Sequence, residues 1–406
     1  MEHNDLVILL LSLSALLAVG VIFGELGKKI GIPKVIGELI GGIIIGPTLV
    51  GKVYPYFYQT IFPSSGIIFN YREAIVKIGI IFLLFVVGLE LNFKHIKDFR
   101  KTILFTSFLG FLIPFILGFS SILLFPNVWD YSYNENKYAL PFFIGIALSI
   151  SALPVIARIL LDLNLTNSKI GSIIIASATL TDVIGWLFFA QLILYFETSS
   201  SSSTVSPLYS ALTIIILFIA ALNIGKKAAN KFVQCVEEKE HLHNAALSLT
   251  IIAILVNGAL LETLGIHAMF GAFLIGMAFS ENKDKNIYKN INKFIMVFFS
   301  PLYFTCIGLQ ANFFKNFDLK LTALVLIIAV LGKLFGAGLG SALSGIKTKE
   351  ALAIGFGMNA RGAMEIVLAA AAYQAHFISE RIFVSLIVMA IVTTVISGPT
   401  MKRMLA

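Results

Sequence analysis

Residues 176–187 read ASATLTDVIGWL. They lie inside an apolar run from about 170 to 196, long enough to cross a bilayer as one helix. A single carboxylate, Asp182, stands in the middle of it. It comes 13 residues after Lys169, which at about 1.5 Å per residue puts it roughly 20 Å from that edge, near the midplane. No basic residue sits three or four positions away on the same run to neutralise it. A bare charge at that depth is costly, so such a residue faces a partner or a water-filled cavity.

The rest of the chain has the composition that makes this depth argument apply. Of 406 residues, 58% are hydrophobic and 13% charged, with a mean hydropathy of +0.92. A soluble domain carries about 25% charged residues. The expected fold class is therefore an all-α polytopic membrane protein with lipid on its outside. The net charge of +8 comes from short Lys and Arg clusters between apolar runs, a membrane pattern that argues against nucleic-acid binding. Cys235 and Cys306 lie far apart and predict no disulfide framework. The opening MEHND lacks a basic region, so the first apolar run reads as a helix and not a cleaved signal.

Thirteen apolar runs predict transmembrane helices near 5–24, 33–50, 74–93, 100–125, 138–161, 168–197, 207–231, 243–262, 266–281, 291–313, 319–343, 349–377 and 380–402. Of the 30 Lys and Arg residues, 21 fall in odd-numbered loops and the C-terminus, 7 in even-numbered loops, and Lys333 and Arg361 inside spans. That asymmetry predicts an external N-terminus and a cytoplasmic C-terminus. The expectation is a single membrane domain over 1–406, with Thr198–Thr204 as a flexible external linker and no soluble regulatory domain.

Two runs look interrupted. SISALPVIAR (149–158) places Ser149, Ser151, Leu153 and Pro154 at mid-membrane, and proline removes a helix hydrogen bond. GFGMNARGAME (355–365) places Gly355, Gly357, Asn359 and Gly362 at similar depth. Irregular backbone there is tolerated only inside protein or along a cavity. Each is the fourth helix of a five-helix block of opposite orientation, about 33–197 and 266–402. This predicts an inverted repeat whose broken helices cross near the midplane.

Asp182 is the expected ion- and proton-binding group, with oxygen from Thr181, Ser151 and the broken backbones replacing the hydration of a monovalent cation. A lone carboxylate holds a proton or a cation, not both at once. Competition of this kind combined with alternating access is antiport. Arg361, Glu365 and Lys333 are the expected charge-compensating residues, with Lys333 on backbone carbonyls and Glu365 against Arg361. Glu25, Glu38 and Glu90 read as structural partners of Lys residues or Arg158. No cofactor is expected, and no G-x-G-D or H-E-x-x-H run supports an enzyme.

Five segments carry a family resemblance. PKVIGELIGGIIIGP (33–47), LLFVVGLELNF (83–93), GAFLIGMAF (271–279), PLYFTCIGL (301–309) and MNARGAMEI (358–366) resemble, in order, those of the second monovalent cation:proton antiporter family. The resemblance covers essentially the whole chain. It implies a homodimer in the cell membrane, the inner membrane if bacterial, with a role in pH homeostasis. A core domain would slide like an elevator against a dimerisation domain, exchanging Na⁺, K⁺ or Li⁺ for H⁺. Asp182 matches the family's ion-binding aspartate. Thr181 stands where relatives carry Asp, Asn or Gln, and Arg361 where electrogenic relatives carry Lys. Arginine does not release its proton and threonine is neutral, so the expected exchange is electroneutral, one cation for one proton. A gated K⁺ efflux channel and a sodium-coupled organic-solute carrier of similar fold are the alternatives.

Overall fold

The computed structural model describes residues 3–30, 32–91, 99–131, 138–166, 168–200, 207–237, 243–263, 268–282 and 286–405. Among these the regular structure is helical throughout. The first half runs α1 (His3–Lys29), α2 (Lys34–Ile45), α3 (Val50–Val53), α4 (Pro55–Ile61), α5 (Ile67–Glu90), α6 (Arg100–Leu124), α7 (Ala139–Ser149), α8 (Leu153–Asp162), α9 (Lys169–Ser200) and α10 (Pro207–Ala220). The second runs α11 (Lys226–Glu237), α12 (His243–Thr263), α13 (Ala268–Phe279), α14 (Asn286–Phe294), α15 (Ser300–Leu309), α16 (Phe313–Asn316), α17 (Leu319–Lys333), α18 (Leu339–Leu343), α19 (Thr348–Gly357), α20 (Ala363–Gln374) and α21 (Glu380–Leu405).

Nine helices among the described residues are long and apolar enough to cross a membrane. Their outer faces carry large exposed apolar side chains such as Leu10, Ile22, Phe108, Ile216 and Val256, as lipid contact requires. The protein is a polytopic membrane protein. The other four expected runs do not meet that measure of length and composition. Run 74–93 coincides with α5, which carries Arg72, Glu73 and Lys77; run 266–281 with α13, only 12 residues long. Runs 138–161 and 349–377 are each split, into α7 with α8 and α19 with α20. Most of the expected linker Thr198–Thr204 lies outside the described residues, and α9 extends to Ser200.

Three π-turns were not anticipated: Ala221–Gly225, Ile295–Phe299 and Leu334–Gly338. They join α10 to α11, α14 to α15 and α17 to α18. Each adds a residue to one turn, which hydrophobic periodicity alone does not register.

The chain divides into two compact units. Unit 1 comprises Met1–Leu91 and Ile193–Lys315, and unit 2 comprises Asn92–Leu192 and Asn316–Ala406. In unit 1, α1, α2 and α15 meet backbone to backbone: a Cβ on Gly42 would collide with the Thr305 carbonyl. Helices in lipid gain little from hydrophobic exclusion, and small residues of this kind let dispersion hold them. Unit 2 has its own apolar core, including Ile156, Leu160, Ile174, Ala178, Ile354 and Met358. Both split helices lie in unit 2.

Candidate functional site

The first break is short. α7 ends at Ser149, residues Ile150 and Ala152 are extended (φ −71°, ψ 151° and φ −95°, ψ 95°), and α8 starts at Leu153 with Pro154 in its first turn. A proline there lacks only an N–H that would be unpaired in any case. The second break spans Met358–Gly362, where Gly362 is fully extended (φ −176°) before α20. A Cβ on Gly362 would lie 2.5 Å from Val155 Cγ2 of α8, so glycine allows this close approach.

The two breaks are bonded to each other. The Ala152 amide donates to the Ala360 carbonyl at 3.0 Å, and the Ser151 hydroxyl donates to the Met358 carbonyl at 2.8 Å. Extended backbone at membrane depth must find such partners, because no water satisfies it.

Asp182 of α9 is buried against the first break. Its Oδ1 accepts the Ser151 amide at 3.2 Å. Its Oδ2 has no partner among the described residues. The carboxylate therefore lies at the start of α8, where amides point outward and the helix dipole favours negative charge. Thr181 is also buried, but its hydroxyl donates to the Ala178 carbonyl at 2.9 Å. The hydroxyls of Thr181 and Ser151 both spend their proton on backbone, which leaves their oxygen lone pairs for another ligand. Other buried oxygens without a partner among the described residues include Ser177 Oγ on α9, Asn359 Oδ1 in the second break and Glu365 Oε2.

The opposite end of the first break carries the positive charge. Arg361 is fully buried. Nη1 donates to the Ala147 carbonyl at 2.8 Å and to Ile150 at 3.4 Å, and Nη2 to Leu148 at 2.7 Å. Ala147 and Leu148 carry last-turn carbonyls of α7, which have no helical partner, and Ile150 lies in the break itself. The same Nη1 meets Glu365 Oε1 at 2.8 Å, so Glu365, in the first turn of α20, neutralises it. Lys333 donates to the Gly110 carbonyl at 3.2 Å and to the Ser149 carbonyl. Thr394 of α21 pins the break from outside, accepting the Arg361 amide at 3.2 Å and donating to the Arg361 carbonyl.

All the candidates named from sequence lie in unit 2; hydrogen bonds link Ser151 with Asp182, Lys333 with Ser149, and Arg361 with Glu365, while the Thr181 hydroxyl bonds to Ala178 of its own helix. Ser149, Ser151, Leu153 and Pro154 belong to the first break or its flanks, and Gly357, Asn359 and Gly362 to the second or its flank. Lys333 bears electrostatically on Asp182: it holds the Ser149 carbonyl, two residues from the amide that holds Asp182. A single residue pattern could not have shown this, because the geometry joins α6, α7, α9 and α17.

Comparison with known proteins agrees with this architecture. The transmembrane sodium/hydrogen exchanger family matches residues 12–406. The chain belongs to this family. The Na⁺/H⁺ antiporter NhaS4 of Synechocystis is 30% identical over 99% of this chain and 98% of its own length. The Arabidopsis thaliana cation/H⁺ antiporter 17 is 31% identical over 98% of this chain, which spans only 48% of that longer relative. The solved structure of the sodium proton antiporter MjNhaP1 from Methanocaldococcus jannaschii shares the fold, with a TM-score of 0.68 over 98% of this chain and 96% of that one, at 18% identity.

Within this exchanger family member, sequence reasoning missed two participants. Thr394 sits in an unremarkable apolar run, and only its pairing with Arg361 reveals it. Glu38 was read as a partner of a lysine near a helix end. The structure instead pairs Lys34 with Glu25 at 3.4 Å and buries Glu38 completely. Helix spacing allowed either pairing, and the close seating of α1 on α2 decides it.

Proposed function

We propose that this chain is a secondary antiporter exchanging one monovalent cation, Na⁺ or K⁺, for one H⁺ at Asp182. The observation that carries the reading is the Asp182 carboxylate itself, buried at paired helix breaks with one oxygen held by the Ser151 amide and the other open. That open oxygen can take a proton or a desolvated hard cation. Bare, it is too costly to carry through apolar walls, so the carrier moves only when loaded.

The one-for-one ratio requires that no neighbour exchange a proton during the cycle, and Lys333 beside Asp182 meets this by staying on the Gly110 and Ser149 carbonyls. Arg361 keeps its proton and is already neutralised by Glu365. Thr181 adds no charge. One carboxylate then exchanges one positive charge for another. The whole site lies in unit 2, which suits an elevator in which one unit carries the ion. We assign unit 1 to homodimerisation, and repeats of about 33–197 and 266–402 to the inverted symmetry. Lys and Arg placement supports a cytoplasmic C-terminus, with Li⁺ as a further substrate.

The test is exchange in liposomes with a trapped pH dye. An imposed proton gradient should be dissipated by Na⁺ or K⁺ and not by a large organic cation. Clamping the membrane potential should leave both rate and final gradient unchanged. Current through single molecules without proton coupling would overturn the antiport reading in favour of a channel. Voltage-dependent steady states would overturn only the one-for-one ratio.

A further inference from the structure

A second buried carboxylate lies outside this site. Glu38 of α2 is fully buried in unit 1. Its Oε2 accepts the Ser300 hydroxyl of α15 at 2.8 Å, and its Oε1 has no partner among the described residues. The Thr305 hydroxyl ties the Glu38 carbonyl to the same helix at 3.2 Å. On the α1 side, a Cβ at Gly24 would lie 3.1 Å from Glu38 Cγ and 2.9 Å from Lys34 Cγ. Three helices therefore enclose the carboxylate.

The charged groups around it are few. Lys34, one turn away on α2, and Glu25 of α1 bear on it, and these two pair with each other. α15 offers the hydroxyls of Ser300 and Thr305 and no charged side chain. Its titratable Tyr303 and Cys306 are buried, with Glu73 of α5 within electrostatic reach of both. The π-turn Ile295–Phe299 that leads into α15 has no titratable side chain. Lys34, the cation that bears on Glu38, has its ammonium turned to Glu25.

As at Asp182, one carboxylate oxygen is hydrogen-bonded and the other has no partner among the described residues. We infer that Glu38 is a second proton-binding site, located in unit 1, whose occupancy sets how α2 is seated against α1 and α15. Ionised, the open oxygen needs another donor or a water. The helices touch backbone to backbone where Gly42 meets Thr305, so the packing has no slack to admit one unless α2 shifts. Protonated, the carboxyl fits as it stands. Protonation therefore holds α2 in the seat seen here, and deprotonation loosens it.

The transport arm of the test rests on the exchange reading above, and the melting arm does not. Wild type, Glu38→Gln, Ser300→Ala and Asp182→Asn are purified as full chains and melted from about pH 5 to about pH 9, then reconstituted and assayed for exchange over the same range. Wild type and Asp182→Asn should both lose melting temperature in a step as pH rises. Glu38→Gln, which imitates the protonated form, should shrink that step to the part owed to Asp182 and Glu365, and displace the pH profile of exchange. Ser300→Ala deletes the donor to the ionised form and should move the step upward by about one pH unit. If Glu38→Gln melts with the wild-type pH dependence and its exchange profile does not move, Glu38 is only structural and the inference is overturned. If wild type exchanges no cation, the exchange reading fails, and the melting step still decides for or against Glu38. Should Glu38→Gln not fold, an unmoved step in Ser300→Ala overturns the inference.

Discussion

The Ala152 amide and the Ala360 carbonyl, 208 positions apart in the chain, are joined by a 3.0 Å hydrogen bond. Each belongs to the non-helical gap of a different broken helix. The bond makes the two gaps one object, so helix ends that would be liabilities in lipid become a site. Amides at the start of α8 receive Asp182, and carbonyls at the end of α7 receive Arg361 and Lys333. Opposite charges are thereby sorted to the two sides of one short break by the polarity of the backbone.

Asp182→Asn should abolish exchange with every cation while leaving a folded protein. The amide keeps the shape of the carboxylate but can neither ionise nor release a proton. Removing a charge whose Oδ2 lacks a partner should not lower the melting temperature appreciably. Proton-coupled flux at the wild-type rate in this variant would end the assignment of Asp182.

Arg361→Ala should act mainly on stability. It strands Glu365 and frees the carbonyls of Ala147, Leu148 and Ile150. Breaking a buried pair by deleting one partner costs about 3–5 kcal/mol. Arg361→Lys retains the charge but not the planar fork, and should recover only part of the loss. Cation preference should change little in whatever folded fraction remains. Melting temperatures close to wild type would remove Arg361 from its bracing role.

Much of this was legible in the sequence, and for identifiable reasons. Hydrophobic run length located the long helices, because bilayer thickness sets that length. Pro154 and the glycines around Arg361 marked both breaks, because they are costly in a helix interior. What stayed hidden depends on which faces meet. Lys333 was visible as a deep cation, but its hold on Ser149 comes from the packing of α17 in unit 2. Glu38 lay within a quoted family segment, yet its loss of a lysine partner depends on Lys34 turning to Glu25. The three π-turns leave the apolar run length unchanged, so no periodicity reports them.

Asp318 should give unit 2 an acid-sensitive component of stability. It caps α17, accepting the Leu321 amide at 2.8 Å, and it accepts Arg381 Nη2 at 2.6 Å. The amide bond first, and Arg381 in addition, hold its carboxyl below the ordinary carboxylate value against a smaller effect of burial. A depressed folded value means the contribution is complete above the unfolded value and is lost as pH falls through the folded one. Asp318→Asn keeps a capping oxygen and loses only the charge. It should melt slightly below wild type at about pH 7, by at most about 1 kcal/mol because the group is partly exposed. The gap should close under acid. A gap that persists below about pH 3 would show that geometry, and not charge, carries the effect.

Cys235 offers a direct reading of orientation. It is exposed on α11, whereas Cys306 is buried in α15. The proposed topology puts the segment around Lys226, Lys227 and Lys231 on the cytoplasmic side. A membrane-impermeant maleimide should therefore label inside-out vesicles at one site and leave right-side-out vesicles unlabelled. Cys235→Ser should abolish the labelling, because Cys306 is out of reach until the protein unfolds. Labelling of right-side-out vesicles at Cys235 would invert the proposed topology. It would not disturb the Asp182 chemistry, which depends on where the breaks meet and not on which face is cytoplasmic.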